Sequence, residues 1–438
     1  MEITKKIFCT LLVFIPFFLI TGPAIPDIII SLSSIFFLIL FFFYKNEYNI
    51  TNFNWFKISI LFWVFLIISS LYAYNFEKSF VEAIIFIRIL LIPALVLYIL
   101  FEYQLAIKLL FIVIFASIIF VIFDCLIQFF NYDSKTGFGK DIFGYIPDNS
   151  PHFRLTGPFK DLVPGSYISR FAFFGLMAIY LFVKNKNLQV LLSIIYLGLS
   201  CFVTFISGER MAFATFGLGI VIFILFNNKY KFHYTFSIIL AFILIFFSLK
   251  LHPAYNYKII NSSAIHNGLI LEKKIKCSEI SETNCTILIN TQPQFFEVLK
   301  NFSKSAYGEI YSLALNMYKE NFIFGIGFNN FNDLCKSEKY NKILKNIDCV
   351  THPHNFYLQW LIETGPICLI LFILYLYHIF LHLNKNKMKK TKLLSIISMI
   401  ILFWPIMSTG SLAKNWYGIS TFFIIGICIS IYKLKSLK

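Results

Sequence analysis

The stretch Leu109-Leu-Phe-Ile-Val-Ile-Phe-Ala-Ser-Ile-Ile-Phe-Val-Ile-Phe-Asp-Cys-Leu-Ile-Gln-Phe129 carries a single charged residue, Asp124. A run of that length and composition suits a hydrocarbon layer roughly 30 Å thick. No water reaches a backbone there, so the segment must pair its own N–H and C=O groups as a helix; a barrel would show alternating strands of about ten residues instead. Eleven further runs read the same way, near 7–21, 26–43, 58–74, 83–101, 165–183, 188–206, 211–226, 234–249, 361–383, 393–409 and 416–432. The expected fold class is an all-α integral membrane protein, a polytopic bundle of about 12 transmembrane helices.

Composition agrees. Of 438 residues, 58% are apolar and 14% are charged, against roughly 25% charge in soluble domains. A soluble multidomain enzyme is excluded. The net charge of +16 sits on no basic polar domain, which argues against nucleic acid as a partner. The first run follows Lys5 and Lys6 as a signal peptide would, but Thr21-Gly-Pro-Ala-Ile-Pro26 offers no small-x-small cleavage site, so it is read as a retained helix.

With the N-terminus inside, the short loops 1–6, 44–57, 102–108, 184–187, 227–233, 384–392 and 433–438 hold 17 Lys and three acids, Glu2, Glu47 and Glu102. The positive-inside rule then places both termini in the cytoplasm. The expected organisation is helices 1–5 over 1–129, a first periplasmic loop over 130–164, helices 6–9 over 165–249, a large periplasmic loop over 250–360, and helices 10–12 over 361–438. The stretch 250–352 is nearly balanced, with 12 Lys and nine acids.

Four of the nine cysteines, Cys277, Cys285, Cys335 and Cys349, fall in that loop; the rest lie in apolar runs, where a thiol is a small hydrophobe. An even number in one exported loop suggests disulfides, most simply 277 to 285 and 335 to 349, in an oxidising compartment such as a periplasm. Zinc and free thiols are the alternatives, and CxxC spacing is missing. In the same loop Phe295, Val298, Leu299 and Phe302, then Tyr307, Ile310, Tyr311, Ala314 and Met317, recur at helical spacing. Such an amphipathic helix either lies on the membrane surface or packs on the bundle.

The chemistry-bearing stretch is Thr351-His-Pro-His-Asn-Phe-Tyr-Leu-Gln-Trp-Leu-Ile-Glu-Thr-Gly365, where the large loop re-enters the membrane. Thr351 is expected to cap a helix with Pro353 in its first turn, placing His352 and His354 at the N-terminus. The positive end of the helix dipole disfavours imidazolium there, which suits a general base. Asn355, Gln359 and Glu363 repeat at i, i+4, i+8, a polar stripe that usually lines a cavity. Two alternatives stand: the histidines are merely interfacial, or His-x-His holds a metal, for which no third ligand is evident.

The basic residues comprise 34 Lys and only four Arg, at 88, 154, 170 and 210. Arg is hard to replace where a planar fork grips an anion. Arg210 lies in Ser207-Gly-Glu-Arg210, Arg154 in Arg154-Leu-Thr-Gly157, and Arg170 just inside the following run. None is in a cytosolic loop, and Arg next to a bilayer suits a lipid phosphate or diphosphate. Structural alternatives are pairing of Arg210 with Glu209, and of Arg88 with Asp124 or Glu82. Gly325-Ile-Gly327 lacks the third Gly of a dinucleotide site and reads as a turn; no Walker loop, HExxH or GxSxG is present.

His354-Asn355, nine residues, then Gly365 resembles the His-Asn/Ser/Gln-x9-Gly motif of the O-antigen ligase and polymerase superfamily of bacterial envelope glycosyltransferases. Ser207-Gly-Glu-Arg210, Arg154-Leu-Thr-Gly157, Ala314-Leu-Asn-Met-Tyr318 with Gly325-Ile-Gly327, and Phe403-Trp-Pro-Ile-Met-Ser-Thr-Gly410 with Asn415-Trp416 are similar to members as well. Cys368 departs from the motif's later Gly, Thr or Tyr. The resemblance implies a cofactor-free, metal-independent, inverting transferase in the bacterial inner membrane. It would move a glycan from undecaprenyl diphosphate to a hydroxyl of the lipid A core, or another hydroxyl acceptor, at the periplasmic face. His354 would be the base and Arg210, Arg154 and Arg170 the diphosphate ligands, with His352, Asn355, Gln359 and Glu363 in support. A polymerase extending glycans on the carrier, or a protein O-oligosaccharyltransferase, shares these residues. From another class, a transporter or lipid flippase also tolerates intramembrane Arg, but no matching inverted halves are visible.

Overall fold

The computed structural model describes residues 2–43, 49–132, 138–147, 154–159, 163–252, 258–259, 287–288, 302–344, 347–384, 389–405 and 410–434. Its principal helices are α1 (Glu2–Val13), α2 (Ala24–Phe43), α3 (Asn54–Ser70), α4 (Phe76–Ile85), α5 (Ile87–Leu95), α6 (Gln104–Phe130), α7 (Pro164–Phe182), α8 (Lys186–Ile206), α9 (Arg210–Phe226), α10 (Lys231–Leu251), α11 (Ala306–Glu320), α12 (Phe331–Cys335), α13 (Phe356–Asn384), α14 (Lys389–Leu402) and α15 (Asn415–Ser430). The described residues include one minimal antiparallel pairing, Lys258–Ile259 with Ile287–Leu288; the chain is otherwise all-α. Among the described residues eight helices are long and apolar enough to cross a membrane, and α3 and α9 are shorter apolar helices. Phe42, Phe43, Phe232 and Phe242 are all exposed, a surface suited to lipid rather than water.

Several of the expected spans differ, the run at 83–101 being divided at Phe86 between α4 and α5. The run at 7–21 is broken at Phe14 into α1 and the single turn Ile15–Phe18, which carries Pro16 at its start. The run at 393–409 begins earlier and ends as α14 at Leu402, ahead of Pro405, which disfavours helical geometry in the residue before it. Several buried hydroxyls inside the helices donate back to their own turn, as Ser59 does to the Phe56 carbonyl at 2.8 Å and Thr204 to Ser200 at 2.7 Å. That satisfies them without water.

The chain divides into two compact units, 1–110 with 295–438, and 111–294. In the first, α3 packs along α13 and α15 along α5. Their shared core centres on Trp360, edge-on to Phe62 at 4.9 Å and stacked on Phe328 at 5.6 Å. Arg88 of α5 pairs with Asp27 of α2 at 2.8 Å and donates to the Asn415 side chain at 3.0 Å. The expected partners are engaged elsewhere: Glu82 accepts from Asn329, and Asp124 accepts from the Ile142 N–H. In the second unit α8 lies between α7 and α10 in contact terms, and Tyr196 of α8 donates to the Ala172 carbonyl of α7 at 3.1 Å.

The helix α13 is two helices in series. At Gly365 the backbone takes φ 80° and ψ 175°, a region only glycine occupies readily. Pro366 has no N–H to offer the Ile362 carbonyl one turn back. That carbonyl accepts instead from the Ile326 N–H at 2.9 Å, and the Glu363 carbonyl accepts from Gly327 at 2.8 Å. The approach is close enough that a Cβ on Gly325 would lie 2.5 Å from the Ile362 oxygen, and one on Gly365 would enter the Ile323 carbonyl. The Gly325-Ile-Gly327 turn is thus an edge laid on the break.

The loop ahead of α13 has its own core. Ile310, Leu313, Ala314 and Met317 of α11 bury against Ile326, Phe331, Leu334 and Ile362. The described part of the expected amphipathic helix therefore packs on protein, while 295–301 lies outside the described residues. Cys335 and Cys349 form a disulfide; Cys277 and Cys285 lie outside the described residues.

Gly365→Ala should destabilise the protein by about 3 kcal/mol or more, through backbone strain and the clash with Ile323; a thermal midpoint unchanged in detergent would refute the account of the break. Reducing Cys335–Cys349 opens a loop of 14 residues' separation and should cost about 3 kcal/mol. Thermal scans with and without reductant, alongside Cys349→Ser, measure it.

Candidate functional site

In the first unit the His motif folds differently from its sequence-level expectation. Asn355, and not Thr351, caps the helix: its Oδ1 accepts from the Tyr357 N–H at 3.0 Å and from Leu358 at 3.1 Å. The helix starts at Phe356, so Pro353 lies outside it. The reason is local. His354 adopts φ 55°, which no helix continues through, and Pro353 biases His352 toward extended backbone. His354 is half-buried beside the N-terminus, and its ring centroid lies 4.3 Å from that of His352. His352 is buried, its Nδ1 2.8 Å from the Thr351 hydroxyl.

The nine residues Phe356 to Thr364 run from the Asn355 cap to the Gly365 break. The motif's spacing is therefore the length of one short helix. Its polar stripe is buried and bonded outward. The Asn355 amide donates to the Pro405 carbonyl at 2.9 Å; Gln359 donates to Ser411 at 2.7 Å and to Glu363 at 3.1 Å; Glu363 accepts from the Asn329 N–H at 3.0 Å. Asn329, itself at φ 58°, donates to Glu82 at 2.8 Å. Tyr357 adds a bond to the Phe403 carbonyl at 2.8 Å. The stripe and Tyr357 tie Phe403, Pro405 and Ser411 on one side and Asn329 on the other to the short helix.

Two tyrosines of α11 join the histidines and were not singled out as site residues by sequence. The Tyr307 ring stands edge-on to His354 at 5.9 Å. The Tyr311 hydroxyl is hydrogen-bonded to Asn355, and burial pushes it above the ordinary tyrosine range, with the Asn355 bond opposing. Their i, i+4 spacing placed them on one face; nothing local tied that face to His354.

In the second unit the structure brings Arg154 onto the Ser207–Arg210 turn. The Arg154 side chain crosses Gly208, where φ is 76° and an added Cβ would sit 2.8 Å from Arg154 Cγ. Arg210 opens α9. Glu209 turns to the N-terminus of α7, where its carboxylate accepts from the Gly165 N–H at 2.6 Å, the Ser166 N–H at 3.0 Å and the Ser166 hydroxyl. Burial pushes the Glu209 carboxyl up; the Ser166 and Gly165 bonds and the Arg154 charge hold it down. Arg170 is buried on α7, one turn past Ser166 and on the same face. Of the three arginines in this unit, Arg154 acts on the Glu209 carboxylate, Arg210 follows Glu209 at the start of α9, and Arg170 lies along α7 from the N–H groups that Glu209 binds.

The Arg154-Leu-Thr-Gly157 segment is held from α6. Gln128, fully buried, accepts from the Thr156 N–H at 2.9 Å and the Gly157 N–H at 3.0 Å, and donates to the Thr156 hydroxyl at 3.1 Å. Gly157 takes φ 51°, and a Cβ there would lie 2.6 Å from the Cys125 sulfur. Among the described residues no three His, Cys, Asp or Glu side chains gather as a metal-ligand set.

Residues 194–373 match the model of the O-antigen ligase family. The matched segment includes Arg210 and the whole His354-to-Gly365 motif, while Arg154 and Arg170 lie before it. It supports the relationship at the level of the superfamily. No curated protein matches the chain.

Asn355→Ala removes the helix cap and the Pro405 bond together. It should cost about 1–2 kcal/mol of stability for the cap alone, whereas Asn355→Asp, which retains the acceptor, should lose markedly less. Equal shifts in thermal midpoint for the two variants would remove the capping role.

Proposed function

We propose that the protein is a membrane glycosyltransferase that moves a glycan from a lipid diphosphate, undecaprenyl diphosphate, to a hydroxyl acceptor, the lipid A core, at the periplasmic face of the inner membrane. The observation that carries the reading is the presentation of His354: a half-buried imidazole held in left-handed backbone at the start of a short helix fixed at both ends. The match of residues 194–373 to the O-antigen ligase family supports it at superfamily level.

The chemistry divides between base and charge. An acceptor hydroxyl is a poor nucleophile, and His354 takes its proton as the oxygen attacks the anomeric carbon. A single in-line displacement inverts that centre. The leaving diphosphate is already acidic and needs charge stabilisation more than a proton or a metal. Arg210, Arg154 and Arg170 supply it, with guanidinium forks that match phosphate oxygens. His352, next to His354, and Asn355, Gln359 and Glu363, through their bonds across the short helix, keep the imidazole in place.

His354→Ala and Arg210→Ala should each lower glycan transfer at least a hundredfold in purified protein, with membrane insertion intact; normal transfer by either variant removes that residue from the mechanism. In a deletion strain, lipopolysaccharide gels should lose every O-antigen band while lipid-linked polymer accumulates. A core bearing one repeat unit instead would make the protein a polymerase. Loss of activity with a chelator and its restoration by Zn2+ would overturn the metal-free mechanism.

A further inference from the structure

Gln128 is a fully buried amide near the end of a largely apolar helix, one turn past Asp124. Burying an amide costs unless its atoms are bonded, and here Oε1 accepts from two backbone N–H groups while Nε2 donates to the Thr156 hydroxyl. All three contacts fall on Thr156 and Gly157, immediately after Arg154-Leu155. The grip therefore fixes where the chain turns after Arg154, at a glycine in left-handed backbone. On the other side of Arg154 in the fold, its side chain rests on Gly208, two residues before Arg210.

We propose that Gln128 is a positioning residue for a lipid-diphosphate site, acting through Arg154; this rests on the reading of the arginines given above. Gln128 carries no charge, and its amide is engaged by Thr156 and Gly157. An apolar side chain of similar volume leaves the Thr156 and Gly157 N–H groups unpaired, so the segment must shift to find other acceptors. Arg154 then leaves Gly208, and the guanidinium loses its register with Arg210. A purely structural Gln128 would lower stability without touching anion affinity.

A double-mutant cycle separates these cases. The full chain is reconstituted in lipid nanodiscs and titrated calorimetrically with farnesyl diphosphate, comparing wild type, Arg154→Ala, Gln128→Met and the double variant, with Arg210→Ala as a reference for the site. Arg154→Ala and Gln128→Met should each weaken binding about tenfold, and the double variant should be no weaker than Arg154→Ala alone. Wild-type affinity in Gln128→Met, or a double variant weakened by the product of the single effects, overturns the proposal while leaving the arginine site standing. No binding by wild type, or full affinity in both arginine variants, overturns the site and the proposal with it. Should Gln128→Met fail to fold, Gln128→Asn, which withdraws the acceptor by one methylene and keeps the amide, is read through the same cycle.

Discussion

Two backbone carbonyls, those of Ile362 and Glu363, govern the first unit. A helix in hydrocarbon has no water with which to satisfy a carbonyl that loses its partner. Pro366 removes the donor for Ile362, and the extended ψ at Gly365 carries the next donor away from Glu363. The donors come from Ile326 and Gly327, some forty residues earlier. Once that edge is in place much else follows. The Ile326 carbonyl accepts from the Tyr74 N–H at 2.9 Å, Asn329 is brought under the Glu363 carboxylate, and Phe328 stacks on Trp360. Glycine at 325, 327 and 365 is the steric condition for all of it, because two backbones meet where side chains would stand.

What could be read from sequence was local. Apolar runs such as Leu109 to Phe129 announce helices because hydrocarbon thickness fixes their length, and the interval from His354 to Gly365 was visible as a spacing before it was visible as a helix. Cap identity was harder. Thr351 and Asn355 are both good cap residues, and the choice turned on the φ of His354, which neither residue type nor periodicity encodes. Helix breaks at Phe14 and Gly365 were hidden for a similar reason: a hydropathy run is blind to backbone direction. Pairings across long separations were the least legible. Arg88 had acidic residues nearer in sequence or in apolar depth, yet Asp27 and Asn415 take it, a choice made by the packing of α2, α5 and α15.

The scarcity of arginine proved informative where the surplus of lysine was not. Lysine accounts for most of the +16, much of it in short loops between apolar runs, where a charge needs little defined geometry. Each of the four arginines sits where geometry is specified. Arg88 bridges an aspartate and an asparagine, and Arg154 lies on Gly208 beside Glu209. Glu209 ties that turn to the rest of its unit. Its carboxylate is committed to the α7 N-terminus, where two N–H groups and a hydroxyl favour a negative charge. That anchors the turn carrying Gly208 and Arg210 to α7, and the same glycine bears Arg154. A motif of four residues, Ser207 to Arg210, therefore encodes a platform, an anchor and a cation in order.

The fate of the polar stripe narrows the assignment of chemistry. Asn355, Gln359 and Glu363 looked like lining for a cavity, since polar groups at that depth are expensive. Each instead makes bonds between segments: to the Pro405 carbonyl, to Ser411, and to the Asn329 N–H. Removing Gln359 or Glu363 leaves a buried partner without its bond, which costs more than the bond itself contributes. Their bonds are first of all those of a clamp on the short helix. In the proposed mechanism the proton is therefore given to an imidazole at the helix start, and His354, the more exposed of the two, is the one a hydroxyl acceptor would reach.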